Sequence, residues 1–153
     1  MLFRTLDIEF KYDDFQALKK QNFSIKKGQN LLIHGPSGCG KTTLINLLSG
    51  LIKPTSGKIF FEDNDYNNLN EDELCKIRAK YFGFIFQKFH LINHLNVEQN
   101  ISLANPRNYI KVEELIKELG LIDKKKLMVR DLSVGEAQRV AVARAIVNEP
   151  KVL

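Results

Sequence analysis

Apolar and polar positions alternate over the opening residues, with Leu6, Ile8 and Phe10 set against Thr5, Asp7 and Glu9, the period of a half-solvated antiparallel strand. Two later runs, Leu31-Leu32-Ile33 and Phe84-Ile85-Phe86, are continuously apolar with glycines nearby. That pattern predicts central parallel strands covered on both faces. Between them Leu44, Leu47, Leu48 and Leu51 recur at helical spacing after Gly40, until Lys53-Pro54-Thr55-Ser56-Gly57 breaks the pattern before a short strand at Ile59-Phe60-Phe61. Asn70 with Glu73 three residues on reads as a capped helix start, and Leu74, Ile77 and Tyr81 continue its stripe. Val112, Leu115, Ile116 and Leu119, stopped by Gly120, make the stretch from 95 to 148 mostly helical. The chain therefore reads as one α/β domain over 1–153, with a core at 1–87 and an inserted helical subdomain at 88–148.

With 153 residues, 44% hydrophobic and 27% charged, a single core is the ceiling and disorder is excluded. No window approaches the ~18 apolar residues of a membrane span, and the polar start lacks a secretory h-region, so a cytosolic protein is expected. Cys39 and Cys75 suggest free thiols rather than a disulfide framework. The net charge of +5 is spread along the chain. Its densest runs, Lys19-Lys20, Lys26-Lys27 and Lys124-Lys125-Lys126, lack interleaved aromatics that would stack on bases, so they read as solvated surface and no direct nucleic-acid partner is expected.

Chemistry concentrates where Gly35-Pro36-Ser37-Gly38-Cys39-Gly40-Lys41-Thr42 fits G-x-x-x-x-G-K-[ST], directly after an apolar run and directly before a helical one. The glycines let successive main-chain N–H groups turn inward toward phosphate oxygens, and the helix dipole adds positive potential at the same spot. Lys41 would place an ammonium on the β- and γ-phosphates, and the Thr42 hydroxyl would ligate Mg²⁺. A plain strand-to-helix turn is the bland alternative, disfavoured by the context. Cys39 occupies an unconstrained position and is given no chemistry of its own.

Leu132-Ser133-Val134-Gly135-Glu136 is by itself a capping box, Ser133 with Glu136, opening a helix that runs to about Asn148. Extended through Ala137-Gln138-Arg139-Val140-Ala141-Val142-Ala143-Arg144-Ala145, and taken with the phosphate loop, it resembles the signature region of ATP-binding-cassette (ABC) ATPases. Gly50-Leu51-Ile52-Lys53-Pro54-Thr55-Ser56-Gly57 resembles the family's segment after the phosphate-loop helix, and Gly83-Phe84-Ile85-Phe86-Gln87 its strand ending in the Q-loop glutamine. The phrase Phe86-Gln87-Lys88-Phe89-His90-Leu91 is most similar to the lipoprotein-releasing and macrolide-export branch.

The resemblance implies a P-loop NTPase fold with a mainly parallel core sheet, an N-terminal antiparallel β-subdomain and an inserted helical subdomain. It implies an ATPase that binds ATP and Mg²⁺ on residues 35–43, Thr43 included, and works with transmembrane permease subunits from the inner face of the membrane. A second ATP-binding subunit would pair head to tail, so that Ser133, Gly135 and Glu136 of one copy cap the ATP of the other. Gln87 would sit near Mg²⁺ and the attacking water as the catalytic amide. Tyr12, at the aromatic position upstream of the loop, would stack on adenine; an ordinary strand-end tyrosine is the alternative.

Two departures stand out in the signature. Val134 replaces the family's usual first glycine and would be strained if that position needs φ > 0. Glu136 brings a negative charge that suits a helix N-terminus yet repels phosphate. His34, His90 and His94 do not fall at the family's switch-histidine position and are expected to be structural or surface residues.

Glu149-Pro150-Lys151-Val152-Leu153 resembles the opening of the strand that in the family ends in the Walker B aspartate and catalytic glutamate. The expectation is a chain truncated at that strand, binding nucleotide but unable to hydrolyse it alone. Three other readings remain open at this point. A chromosome-structure or repair ATPase would separate Lys41 from Ser133 by a long coiled coil, whereas here they lie 133 − 41 = 92 residues apart. A guanine-nucleotide switch would need an Asn-Lys-x-Asp segment, and the third reading is a non-catalytic nucleotide-binding module.

Overall fold

Strand β1 (Phe3–Tyr12) runs antiparallel to β2 (Phe15–Gln21) on one side and to β4 (Ser56–Phe61) on the other. The short β3 (Ser24–Ile25) pairs with its start, and β5 (Asn64–Asp65) lies beyond β4. The computed structural model describes all 153 residues, which divide into two units, Met1–Lys76 and Ile77–Leu153. This antiparallel sheet belongs to the first.

The strict alternation expected over Thr5–Phe10 is broken. Thr5 is 2% exposed and Ile8 fully buried, while Leu6 between them is 43% exposed. The cause is a register shift between Leu6 and Glu9, with Asp7 in a left-handed conformation (φ 50°). One extra residue turns the following side chains to the other face. Thr5 tolerates burial because its hydroxyl donates to the Phe23 carbonyl at 3.3 Å and accepts from the Phe23 N–H at 3.0 Å. Across the bulge Gly57 (φ 85°) leaves no space for a side chain, since a Cβ there would lie 2.3 Å from the Asp7 carbonyl oxygen.

Helix α1 (Lys41–Leu48) follows the glycine-rich loop and buries Leu47 and Leu48, as its leucine spacing predicts; Leu51 lies beyond its end and is exposed. The buried Tyr66 hydroxyl donates to the Leu48 carbonyl at 3.0 Å, satisfying one of the carbonyls a helix end leaves open. Helix α2 (Glu71–Tyr81) starts in the capping box foreseen for it: the Asn70 N–H donates to Glu73 Oε2 at 2.8 Å and the Glu73 N–H to Asn70 Oδ1 at 2.9 Å.

In the second unit α3 (Val97–Ser102), α4 (Tyr109–Glu118) and α5 (Val134–Ile146) enclose a core of Val97, Ile101, Val112, Leu115, Ile116 and Val140. Gly120 (φ 64°) ends α4 in the left-handed region, as its position after the apolar stripe predicts. Residues 149–153, expected to open a strand, make one parallel bridge between Phe82 and Val152. The Gly83 N–H donates to the Val152 carbonyl at 2.8 Å and the Val152 N–H to the Tyr81 carbonyl at 3.0 Å.

The two apolar runs read as central strands do not form ladders. Residues 31–33 have no strand partner and Leu32 is 84% exposed; residues 84–86 are likewise unpaired, with Ile85 and Phe86 both exposed. A continuously apolar run reports that both faces suit burial, but strand structure needs a neighbour to exchange hydrogen bonds with. Each run finds none within this chain. The rings of Phe82, Phe84 and Phe86 nonetheless stack in succession at centroid spacings of 6.0 and 5.8 Å.

Candidate nucleotide-binding site

The loop at 35–40 delivers the chain into α1 through Gly40, whose φ of 90° and close approach to β2 exclude any side chain: a Cβ would lie 2.4 Å from the Ala17 carbonyl oxygen. Helix α1 begins without a side-chain cap and without an acidic residue in its first turn. Its first internal bond runs from the Leu44 N–H to the Gly40 carbonyl at 2.8 Å, which leaves the N–H groups of Lys41, Thr42 and Thr43 directed out of the helix start. Donors and dipole therefore point the same way, with no acid to neutralise them.

The Lys41 ammonium lies inside the loop, donating to the Gly35 carbonyl at 2.9 Å and the Pro36 carbonyl at 2.7 Å, with Cys39 Sγ 3.9 Å away. Pro36, Ser37, Gly38 and Cys39 are exposed around it, and Thr42 presents an exposed side chain. Thr43 is only 7% exposed, so what it offers a ligand is its N–H rather than its hydroxyl. At Gly35 (φ 153°) the nearest atom to an added Cβ would be Cys39 Sγ at 2.7 Å, the end of a side chain that can turn away. Tyr12 closes β1 in the same unit, half exposed, with its ring edge-on to Phe10 at 4.7 Å.

The other candidates lie in the second unit. Ser133 caps α5: its Oγ accepts from the Glu136 N–H at 3.3 Å while Glu136 Oε2 accepts from the Ser133 N–H at 2.8 Å. Val134, the departure that a left-handed backbone would have strained, is the first helical residue and does not have positive φ, so its β-branched side chain simply points to solvent, 76% exposed. Gly135 has space around it, since a Cβ would meet only the Arg139 guanidinium at 3.8 Å. The fold does not need glycine there. Hydrogen bonds from Ser133 and the nearby Lys124 hold the Glu136 carboxyl below the usual carboxylate range.

Gln87 is exposed just after the Phe86 ring. The segment that follows is held by a residue sequence reasoning passed over. Arg144 on α5 donates to the Phe89 carbonyl at 2.7 Å and the His90 carbonyl at 2.8 Å, both residues having φ of 47°. Its half-burial lowers the guanidinium from its ordinary value. Asn100 was missed in the same way: fully buried, it accepts from the Ile92 N–H at 2.8 Å and places its amide nitrogen within 3.2 Å of the Ile92, Leu95 and Asn96 carbonyls.

Comparison with known proteins decides what this arrangement belongs to. The profile of the ABC transporter family matches residues 18–153. The chain is a member of the ABC transporter ATP-binding family. An uncharacterised ABC transporter ATP-binding protein of Methanocaldococcus jannaschii is 39% identical over 144 residues, covering 90% of this chain and 64% of the relative. The lipoprotein-releasing system ATP-binding protein LolD of Buchnera aphidicola is 39% identical over 150 residues, 94% of this chain and 66% of its own length. The macrolide export ATP-binding/permease protein MacB of Escherichia coli is 37% identical over 148 residues, 92% of this chain and 23% of its own. This ABC chain thus spans about 64% of the length of the first of these relatives.

Solved cassettes agree. The dimeric ATP-binding cassette MJ0796 in a post-hydrolysis state with ADP and phosphate superposes with a TM-score of 0.86 at 34% identity, over 97% of this chain and 70% of that one. The fold is that of a P-loop ABC ATPase with an N-terminal antiparallel sheet. No helix is long and apolar enough to cross a membrane.

Proposed function

We propose that this chain is the ATP-binding subunit of an ABC transporter, taking Mg-ATP on residues 35–43 and capping a second subunit's ATP with Ser133, Gly135 and Glu136. The observation that carries the reading is the start of α1: a glycine-shaped loop, first-turn N–H groups with no cap or acid of their own, and the Lys41 ammonium lying within the loop. In the proposed complex Lys41 exchanges its two carbonyl partners for the β- and γ-phosphates, a charge-assisted and therefore stronger bond. The exposed Thr42 hydroxyl would join phosphate oxygens around Mg²⁺, with Gln87 as the second protein ligand. The chain gathers no cluster of three His, Cys, Asp or Glu side chains that could hold a metal, and a hydroxyl plus an amide plus phosphates suits an ion that is bound with few protein ligands.

Gln87 has a second task in this reading, and the other residues have one each. Gln87 orients the water that attacks the γ-phosphate, Tyr12 stacks on adenine, and the α5 terminus with Ser133 Oγ and the Gly135 N–H receives the γ-phosphate of the partner's nucleotide. Support for a paired arrangement comes from the dimeric form of the MJ0796 cassette. The name of MacB, an ATP-binding/permease protein, supports membrane permease partners, and such partners would place this chain at the inner face of the membrane.

The test is binding. Mg-ATP is expected to raise Tm in proportion to RT ln(1 + [L]/Kd), and Lys41→Ala to abolish the shift. A shift that survives the substitution unchanged removes the assignment.

A further inference from the structure

Lys124, Lys125 and Lys126 are the densest basic run in the second unit, and the structure divides them. Lys125 pairs with Glu113 and Glu98 and Lys126 with Glu98, which ties Lys125 to α3 and α4 and Lys126 to α3. Lys124 turns instead to α5, its Nζ 3.4 Å from Glu136 Oε1. The other carboxylate oxygen, Oε2, accepts the Ser133 N–H at 2.8 Å. Both oxygens of Glu136 are therefore engaged within the turn that carries Ser133 and Gly135.

A carboxylate at this place has two opposed effects. It suits the positive end of the α5 dipole, and it repels any phosphate brought to the same turn. The repulsion acts well within the ~8 Å screening length of physiological salt, so solvent ions do not remove it. A fixed cation beside the carboxylate does. Arg139 adds a second positive group near Gly135, with its guanidinium 3.8 Å from where a Cβ on that glycine would sit.

We propose that Lys124 is a positioning residue of the signature turn: its ammonium offsets the Glu136 charge and holds that side chain against Ser133, so that the turn receives the γ-phosphate of a nucleotide held by a second copy. The inference rests on the capping role proposed above. It explains how this chain carries a glutamate at a phosphate-receiving turn, and it gives a function to a lysine that composition alone assigns to solvated surface.

The experiment follows Mg-ATP-dependent association of the purified chain by sedimentation velocity, for wild type, Lys124→Ala, Lys124→Gln, Lys124→Arg, Glu136→Gln and the double variant Lys124→Ala/Glu136→Gln. Lys124→Ala and Lys124→Gln should raise the Mg-ATP concentration for half-maximal association about two- to fivefold, the range of an exposed charge pair. Lys124→Arg should restore it, and so should the double variant, because removing the carboxylate removes the need for the cation. The deficit should shrink as salt is raised. The rise in Tm that Mg-ATP produces in the unassociated chain should be the same for wild type and the single Lys124 variants.

A double variant as weak as Lys124→Ala would overturn the proposal, since a merely structural lysine is not rescued by removing its partner's charge. Wild-type association matched by Lys124→Ala and Lys124→Gln would overturn it too, leaving the capping role intact. If Mg-ATP raises the wild-type Tm yet never associates two wild-type chains, the capping role falls and this inference falls with it.

Discussion

Gly40 lies against the Ala17 carbonyl oxygen so closely that a Cβ would approach it to 2.4 Å, and its φ is 90°. The phosphate loop is thereby braced on β2, and the first turn of α1 is aimed by backbone contact rather than by a side chain. Gly40→Ala should destabilise the chain by about 1 to 3 kcal/mol, the usual magnitude for a non-glycine residue forced into a sparsely populated backbone region. Thermal denaturation with and without Mg-ATP checks this: the expected result is a lower Tm and no nucleotide-dependent rise. A variant with an unchanged Tm would mean the loop is not braced there.

Gly135→Ala separates binding from folding. With open space around that position and no positive φ, alanine in the first turn of α5 should leave stability unchanged or raise it by up to ~1 kcal/mol. Mg-ATP-dependent association should nevertheless weaken, because the added methyl occupies the approach to the Gly135 N–H. Chemical denaturation alongside sedimentation measures both halves.

Arg144 holds two adjacent carbonyls at once, those of Phe89 and His90, in a segment where both residues have φ of 47°. Lysine at 144 presents a point charge on a flexible stem and cannot span both. Arg144→Lys is expected to cost about 1 kcal/mol, the net worth of a lost hydrogen bond. Amide exchange at residues 86–91, next to Gln87, should accelerate more than exchange in α4.

The Glu136 carboxyl sits below the ordinary carboxylate range because the Ser133 N–H, the Ser133 hydroxyl and Lys124 favour its charged form. A depressed folded value means its stabilisation is fully present above the unfolded pKa of about 4.3 and is lost as pH falls through the folded value. Comparing melts of wild type and Glu136→Gln from pH 7 downward tests the sign: the wild-type advantage should be present at neutral pH and shrink as the pH falls into the acid range.

Helix starts were legible residue by residue. Asn70 with Glu73 and Ser133 with Glu136 name their own caps, because the bonds that close a capping box join residues three apart and need nothing from the rest of the chain. The G-x-x-x-x-G-K-[ST] loop was legible for the same reason. Leu31-Leu32-Ile33 and Phe84-Ile85-Phe86 misled as strands because apolarity records a preference for burial and carries no information about which neighbour will pair. Arg144 escaped notice because what makes it matter, carbonyls 54 or 55 residues distant, has no trace in the spacing around it; Asn100 bonds groups close by in the chain, but in a loop whose path no periodic pattern describes.

From its amino-acid order alone, then, this protein drew its glycine-rich loop, the capped starts of its helices and its family motifs, each a property of residues within a few positions of one another. Tertiary structure decided the rest: that Leu6 faces outward, that Lys124 rather than its two neighbours meets Glu136, and that Gly57 and Gly40 have no space for a side chain while Gly135 has it. Those outcomes depend on a bulge, an ion pair and a backbone contact formed by residues far apart along the chain, and distance in space is what a local pattern cannot encode.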